Sequence, residues 1–284
     1  MIEGTIIKGV GGQYTVDTSQ GQYICNARGL FRKQKISPIV GDKVQINTSE
    51  DMTGMLMSIM PRINELRRPK VANVDQVVVV LAAAQPALSF HMLDHYLIQA
   101  AYEGIEAFVC INKTDLDADI AAEVQKIYTG AGYPVFIVSA IEDLGLDALG
   151  AFLQGKTTVL AGPSGVGKSS IINSLTEENL ETGAVSEKIG RGKHTTRHTA
   201  FVPIGTGENA AGYVIDTPGF SSLAPPDVPK LERAALFSEL RPWLGQCKFR
   251  DCLHQSEKDC AVKAQVGLSI DPRRYERYIE WINS

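Results

Sequence analysis

Residues Gly162, Pro163, Ser164, Gly165, Val166, Gly167, Lys168 and Ser169, followed by Ser170, fit the pattern G-x-x-x-x-G-K-[ST]. That spacing serves phosphate binding. The glycines let backbone N–H groups turn inward around phosphate oxygens, and a helix N-terminus behind the loop adds partial positive charge. In such a loop Lys168 reaches the β- and γ-phosphates and the Ser169 hydroxyl ligates Mg²⁺. The pattern carries this meaning only between a strand and a helix. Here the apolar run Val159–Ala161 precedes it, and Ile171, Ile172 and Leu175 follow at helical spacing. The plainer reading is a glycine turn in an unrelated α/β protein.

Two polar motifs lie at predicted strand ends. Asn112-Lys113-Thr114-Asp115 follows Ala107–Ile111, and Ser139-Ala140 follows Pro134–Val138. Asn-Lys-x-Asp resembles the base-recognition motif of GTPases. An Asp carboxylate accepts from both N1–H and N2–H of guanine. Adenine offers neither donor and leaves the acid unpaired. Asn112 would brace the loop or touch N7, the Lys113 stem would cover the base, and a backbone N–H of Ser139-Ala140 would meet O6. Alone, the four residues also suit a polar strand-to-helix cap. Beside a phosphate loop they read as a guanine site.

Asp216-Thr217-Pro218-Gly219 follows the strand Gly212–Ile215. Asp216 would hold Mg²⁺ through water, and the Gly219 N–H would sense the γ-phosphate. An ordinary Pro-Gly turn is the alternative. Gly183–Thr199 lacks apolar periodicity and is expected to be a switch loop. Within it Thr196, or failing that Thr195, would ligate Mg²⁺ when a γ-phosphate is present. Phe220 stands where small GTPases place a water-orienting Gln, and it cannot hydrogen-bond a water. His194 is the best internal substitute and His198 a weaker one, against the plainer reading of a surface or RNA-facing histidine. Ordinary GTPases place Asn-Lys-x-Asp and Ser-Ala last, whereas here they precede the phosphate loop. A circular permutation would close the same sheet, and the segment after Asp216 then feeds into whatever follows the domain.

Cys247, Cys252, His254 and Cys260 are spaced C-x₄-C-x-H-x₅-C. Three thiolates and an imidazole make a tetrahedral zinc set with no open position, hence one structural Zn²⁺. Cysteines of a small core are the alternative, but the surrounding stretch is polar. Cys25 and Cys110 sit in predicted strands and read as ordinary buried residues.

The elements that must position these groups fall into three stretches. Residues 1–68 show five short alternating runs separated by glycine turns, which fits an OB-type barrel. Lys plus Arg outnumber Asp plus Glu there, nine to six. Arg28, Arg32, Lys33 and Lys35 share one inter-strand loop, either a phosphate-backbone contact on RNA or a solvated loop. Arg67-Arg68-Pro69 reads as a linker. Residues 69–226 alternate β and α as in a doubly wound parallel sheet, with a helix capped by Ser89 and stopped at Gly104. Residues 227–284 hold an expected amphipathic helix over 227–243, the zinc set, and a last helix from Asp271-Pro272. Tyr275, Tyr278, Ile279 and Ile282 are that helix's expected buried stripe, and Arg273, Arg274 and Arg277 its solvated face.

The 284 residues allow about two domains, and 44% apolar with 21% charged residues describes a soluble globular chain. A net charge of −4 does not mark a nucleic-acid binder but can hide a local basic face. No apolar run approaches the ~18 residues of a membrane span, and the start has no signal pattern, so no membrane role and no secretion are expected. Five cysteines in such a chain suggest thiols or metal ligands.

Taken together, a barrel, a permuted GTPase and a Cys₃His unit resemble the RsgA (YjeQ/YloQ) family of ribosome small-subunit-dependent GTPases. The carrying motifs are Gly162–Ser170, Gly192–Thr196, Asp216–Phe220 and the zinc spacing. The fold expected is α/β, a circularly permuted P-loop GTPase domain flanked by an N-terminal OB-type barrel and a C-terminal helical zinc-binding domain. The resemblance implies a cytoplasmic factor in late 30S maturation that binds 16S rRNA and hydrolyses GTP slowly. It implies stimulation by the subunit and departure after hydrolysis, with Mg²⁺ accompanying GTP or GDP. A monomer is expected. A rival reading makes GTP a conformational ligand of an RNA-binding checkpoint, with hydrolysis incidental. A third, a small-molecule kinase, gives no reason for Asn-Lys-x-Asp.

Overall fold

A computed structural model describes residues 1–29, 31, 36–67, 70–176, 200–204, 212–216 and 226–284. In chain order the strands of the first stretch are β1 (Ile2–Val10), β2 (Gln13–Thr18), β3 (Gly21–Ala27), β4 (Lys43–Thr48) and β5 (Thr53–Ile59). They close into a barrel of order β1-β2-β3-β5-β4, with β3 and β5 parallel. Alternation along the strands sends Ile6, Val16, Cys25, Val44, Ile46 and Leu56 into the barrel core. The register of β1 on β2 shifts between Ile6 and Lys8, a bulge that sets Ile7 apart from the ladder.

Of the expected linker Arg67-Arg68-Pro69, residues 68 and 69 lie outside the described residues, and strands pair on either side of them. β6 (Glu65–Arg67) and β7 (Lys70–Ala72) form a hairpin. Beside it the Arg62 guanidinium grips the wholly buried Asp42 carboxylate with two hydrogen bonds of 2.7 and 2.8 Å. Gly41 has φ +89°, and a Cβ there would lie 2.0 Å from the Ala72 carbonyl oxygen, so only glycine fits.

The remaining elements are β8 (Gln76–Ala82), α1 (Phe90–Tyr102), β9 (Glu106–Asn112), α2 (Ala118–Gly130), β10 (Val135–Ile137), α3 (Leu146–Leu153), β11 (Thr157–Ala161), α4 (Lys168–Leu175), β12 (Val202–Ile204), β13 (Gly212–Asp216), α5 (Lys230–Arg233) and α6 (Pro272–Asn283). The sheet strands run in the order β10-β9-β8 in one part of the chain and β11-β13-β12 in the other. β8 is buried throughout, as its unbroken Val-rich run requires. The sheet is not wholly parallel as expected. β12 runs antiparallel to β13 at the edge, an ordinary ending for a sheet of this kind. Ser89 caps α1 by accepting from Met92 N, and Gly104 closes it at φ +70°.

The chain divides into two compact units: residues 1–77, 146–161 and 167–221, and residues 78–145, 162–166 and 222–284. The first contains the barrel, β11, α4, β12 and β13. The second contains α1, α2, β9, β10 and the C-terminal stretch.

Two expectations for the C-terminal stretch fail. No helix spans 227–243. α5 lasts four residues and gives way to 3₁₀ turns at 234–236 and 241–243. Pro242 lacks an N–H and would clash in a continuous helix. Of the expected apolar face, Leu231, Ala234, Ala235 and Leu240, Ala234 and Leu240 are buried but Leu231 is exposed, and Phe237 is buried besides. On α6, Arg274 is no surface residue: it is 1% exposed, and the buried face reads Arg274, Tyr278, Trp281 and Ile282. Arg277 donates to Asp94, and Arg273 pairs with Asp271 and Glu123. Among the described residues no helix is long and apolar enough to cross a membrane.

Candidate nucleotide site and metal centre

Asn112, the last residue of β9, is 2% exposed and works as a tie. Its amide nitrogen donates to the Val166 carbonyl at 2.9 Å, and its amide oxygen accepts from Ala140 N at 3.0 Å. One side chain thereby joins the Asn-Lys-x-Asp turn, the phosphate loop and the Ser139-Ala140 turn. The next residue, Lys113, takes a left-handed backbone (φ +60°) and lays its side chain across the loop. Its ammonium donates to the Gly165 carbonyl at 2.8 Å and to the Gln85 carbonyl. Thr114 is buried, and its hydroxyl donates to the Val138 carbonyl at 3.0 Å. Asp115 is exposed, and one of its carboxylate oxygens accepts from the buried Ser139 hydroxyl at 2.6 Å. A carboxylate so steadied can take two donors from a base edge.

The phosphate loop owes its course to three glycines with positive φ: Gly162 (+147°), Gly165 (+82°) and Gly167 (+92°). A Cβ on Gly162 would sit 2.1 Å from the Val80 carbonyl oxygen, so the loop passes β8 at backbone contact. Ser164 and Gly165 are exposed, whereas Val166 is buried and Pro163 half-buried. Gly167 is the N-cap of α4, whose first residues are Lys168, Ser169 and Ser170, all half-buried. This is the strand, loop, helix context that the sequence demanded.

Asp216 ends β13 in register with Leu160 of β11, two residues ahead of Gly162. The Asp216 side chain and the residues His194, Thr195, Thr196, His198 and Gly219 lie outside what is described. So do Arg32, Lys33 and Lys35. Arg28 is exposed just past β3.

The Cys247, Cys252 and Cys260 sulfurs and one His254 ring nitrogen lie within 4.8 Å of one another and could hold a metal ion. Cys247 Sγ and Cys260 Sγ are 3.8 Å apart, and His254 Nδ1 lies 3.3 Å from Cys260 Sγ and 3.5 Å from Cys247 Sγ. Tetrahedral zinc with S and N ligands needs edges of about 3.8 Å and about 3.5 Å. The donor set therefore fits. Burial holds the His254 imidazole below its ordinary range, the neutral state that a ligand requires. Three supports of the knuckle were not read as such from sequence, where Tyr275 and Tyr278 were expected only as part of a buried stripe. Tyr275 donates to the His254 carbonyl at 2.7 Å, Tyr278 to the Leu253 carbonyl at 2.8 Å, and Glu257 accepts from Leu253 N and Gln255 N at 2.7 Å. A carboxylate inside the knuckle was the one available signal. Cys25 and Cys110 are buried thiols, Cys110 pushed up to about 12 by burial, as expected of inert core residues.

Comparison with known proteins follows the same lines. Residues 59–225 match the family described as RsgA GTPase, and residues 3–56 match the RsgA N-terminal domain. The chain is similar to the small ribosomal subunit biogenesis GTPase RsgA of Alkaliphilus metalliredigens, 44% identical over 99% of this chain and 97% of the relative. Its likeness to the RsgA of Bacillus velezensis is the same in all three figures. Among solved structures it is similar to YloQ, described as a circularly permuted GTPase, at 37% identity and TM-score 0.80, covering 100% of this chain and 94% of that one. It is also similar to YjeQ from Thermotoga maritima, at 33% identity and TM-score 0.82, covering 99% and 97%. With a family match over more than half its length and near full-length relatives at this identity, the chain belongs to the RsgA family of circularly permuted GTPases.

Proposed function

We propose that this chain hydrolyses GTP in the service of small ribosomal subunit maturation, and that GTP lies in the loops tied together by Asn112. That tie is the observation that carries the reading. It fixes the distance between the loop that reads a base and the loop that wraps phosphates, so one ligand must offer both. Lys113, Thr114, Asp115, Ser139 and Ala140 would receive guanine, with Asn112 bracing the loops that hold it. Residues Gly162 to Ser170 would receive the phosphates, with Lys168 on the β- and γ-oxygens. Mg²⁺ would be held by Ser169 and Asp216, joined by Thr196 in the GTP state, while the Gly219 N–H senses the γ-phosphate. His194 would orient the attacking water. Zinc would occupy Cys247, Cys252, His254 and Cys260 as a structural ion.

The relatives' name, small ribosomal subunit biogenesis GTPase, supports the 30S subunit as partner. The barrel, with Arg28, Arg32, Lys33 and Lys35 in one loop, would contact 16S rRNA, and hydrolysis would time release. The test is GTP turnover by the purified protein with and without 30S subunits, with ATP as control. Strong stimulation with GTP alone supports the reading. Tight GTP binding without stimulation would leave a guanine-nucleotide checkpoint in which hydrolysis is incidental. If stimulation is seen, His194→Ala should lower the stimulated rate by about 10²- to 10⁴-fold, and an intact rate would remove the histidine from the reaction.

A further inference from the structure

Two hydrogen-bonded links join the barrel to the strand pair that ends at Asp216, all within the first compact unit. The β1 bulge turns Ile7 out of the β1–β2 ladder, and its carbonyl accepts from Phe201 N at 2.8 Å. Lys8 and Ala200 form an antiparallel bridge at the same place, so β1 steers the chain into β12. The second link is a side-chain pair. Tyr213, on β13, donates its hydroxyl to the Asp17 carboxylate on β2 at 2.7 Å, and the Thr5 hydroxyl of β1 also meets it. Burial first, and then this bond, push the Tyr213 phenol well above its ordinary range, so it stays a donor at any physiological pH. The Phe201 and Tyr213 rings lie 5.5 Å apart between the two links.

The strand so held is constrained along its whole length. A Cβ on Gly212 would meet the Leu153 carbonyl oxygen at 2.3 Å, and Tyr213 N donates to the Lys156 carbonyl at 2.8 Å. From there β13 runs parallel to β11, Tyr213 opposite Thr157 and Asp216 opposite Leu160. Two residues, Val214 and Ile215, separate the barrel's grip on Tyr213 from Asp216, about 10 Å along an extended strand.

We propose that Asp17 and Tyr213 are positioning residues for GTP hydrolysis: the barrel carboxylate, through the Tyr213 hydroxyl, sets β13 in the register that presents Asp216 to the magnesium ion. The inference rests on the reading of Asp216 as a magnesium-side residue. It gives the barrel a role in the reaction besides any contact with RNA.

The test measures GTP turnover against Mg²⁺ concentration for the full chain, alongside fluorescent GDP affinity without the metal. Tyr213→Phe removes one hydroxyl and keeps the ring. It should raise the Mg²⁺ half-saturation about five- to tenfold and leave metal-free GDP affinity unchanged. Asp17→Asn should do the same in weaker form, and the double variant should be no worse than Tyr213→Phe alone. A merely structural bond would lower the melting temperature without moving the Mg²⁺ curve. Asp216→Asn is the control for the underlying reading. If it leaves Mg²⁺ dependence unchanged, that reading fails. If it shifts the curve and Tyr213→Phe does not, or if Asp17→Asn and Tyr213→Phe add, the positioning role is overturned.

Discussion

Arg274 donates through Nε and Nη2 to the two carboxylate oxygens of Glu239, at 2.6 and 2.9 Å, and both side chains are buried. The same guanidinium reaches Asp94 on α1, whose carboxylate also accepts from Tyr128 of α2 at 2.6 Å and from Arg277. Its planar face lies near the rings of Tyr128 and Phe237, 5.0 and 5.2 Å from their centroids. The cluster pins the last helix to two helices that follow sheet strands. Removal of that cation leaves Glu239 buried without a cation and leaves Asp94 with Arg277 and Tyr128 alone. Arg274→Met should therefore cost about 3–5 kcal/mol in urea unfolding. Arg274→Lys should recover only part, because an ammonium cannot make the two-pronged contact. A loss below about 1 kcal/mol for Arg274→Met would mean that the acids find other partners.

This cluster was illegible in the sequence for a physical reason. Binary patterning assigns Arg to solvent, and the acids that reverse that assignment stand 180 and 35 residues away. Arg274, Tyr278 and Trp281 do follow helical spacing, but only with a cation admitted to the apolar face. The phosphate loop, the Asn-Lys-x-Asp turn and the zinc ligands were legible because each is a contiguous or closely spaced set whose chemistry is local. The five-stranded barrel and the Ser89 cap were readable from alternation and capping rules, whereas the strand order was not. The failed helix at 227–243 shows the limit of periodicity. Leu231, Ala234, Ala235 and Leu240 have helical spacing, yet Pro242 and the 3₁₀ turns bury Phe237 and expose Leu231.

Asn112→Ala should loosen nucleotide binding without touching the nucleotide. The substitution leaves the Val166 carbonyl and the Ala140 N–H without their partner and unties three loops. An unmet buried polar group costs about 1–3 kcal/mol, so fluorescent GDP affinity should fall by about 10- to 100-fold. The loss should be shared by every guanine nucleotide alike. A change confined to one of them would place Asn112 on the ligand instead of between the loops.

Asp115→Asn should change which base is accepted. The Ser139 hydroxyl would still meet the side-chain oxygen, so the loop geometry survives. What is lost is an anion that accepts from N1–H and N2–H, worth about 1.5–3 kcal/mol for each hydrogen bond to a charged group. GTP affinity should drop on the order of 100-fold or more. Xanthosine triphosphate has a carbonyl where guanine has its exocyclic amine, which suits an amide donor, and it should now bind better than it does to the parent chain. Equal loss for both nucleotides would show that Asp115 supports the loop and reads no base.

Metal removal should be visible in the chain's own fluorescence. Its two tryptophans, Trp243 and Trp281, both pack in the apolar cluster that contains Cys252 and Cys260, with Cys247 against it. Without a cation, burial pushes the Cys252 thiol up to about 12 and raises Cys260 as well, whereas at Cys247 burial is outweighed by hydrogen bonds that lower it, so an incoming metal must displace protons at least from Cys252 and Cys260. Zinc binding displaces those protons. Retention of the ion should therefore be complete at neutral and alkaline pH and be lost as pH falls and protons compete for sulfur and imidazole. Elemental analysis should find one zinc per chain, and a strong chelator should release it with a red shift of the tryptophan emission. Cys260→Ser should bind zinc at least tenfold more weakly and show the red shift without chelator. GDP affinity should be unaffected in both, because no zinc ligand is among the residues that tie the nucleotide loops. Emission that stays unchanged while the zinc leaves would mean that Tyr275, Tyr278 and Glu257 hold the knuckle by themselves.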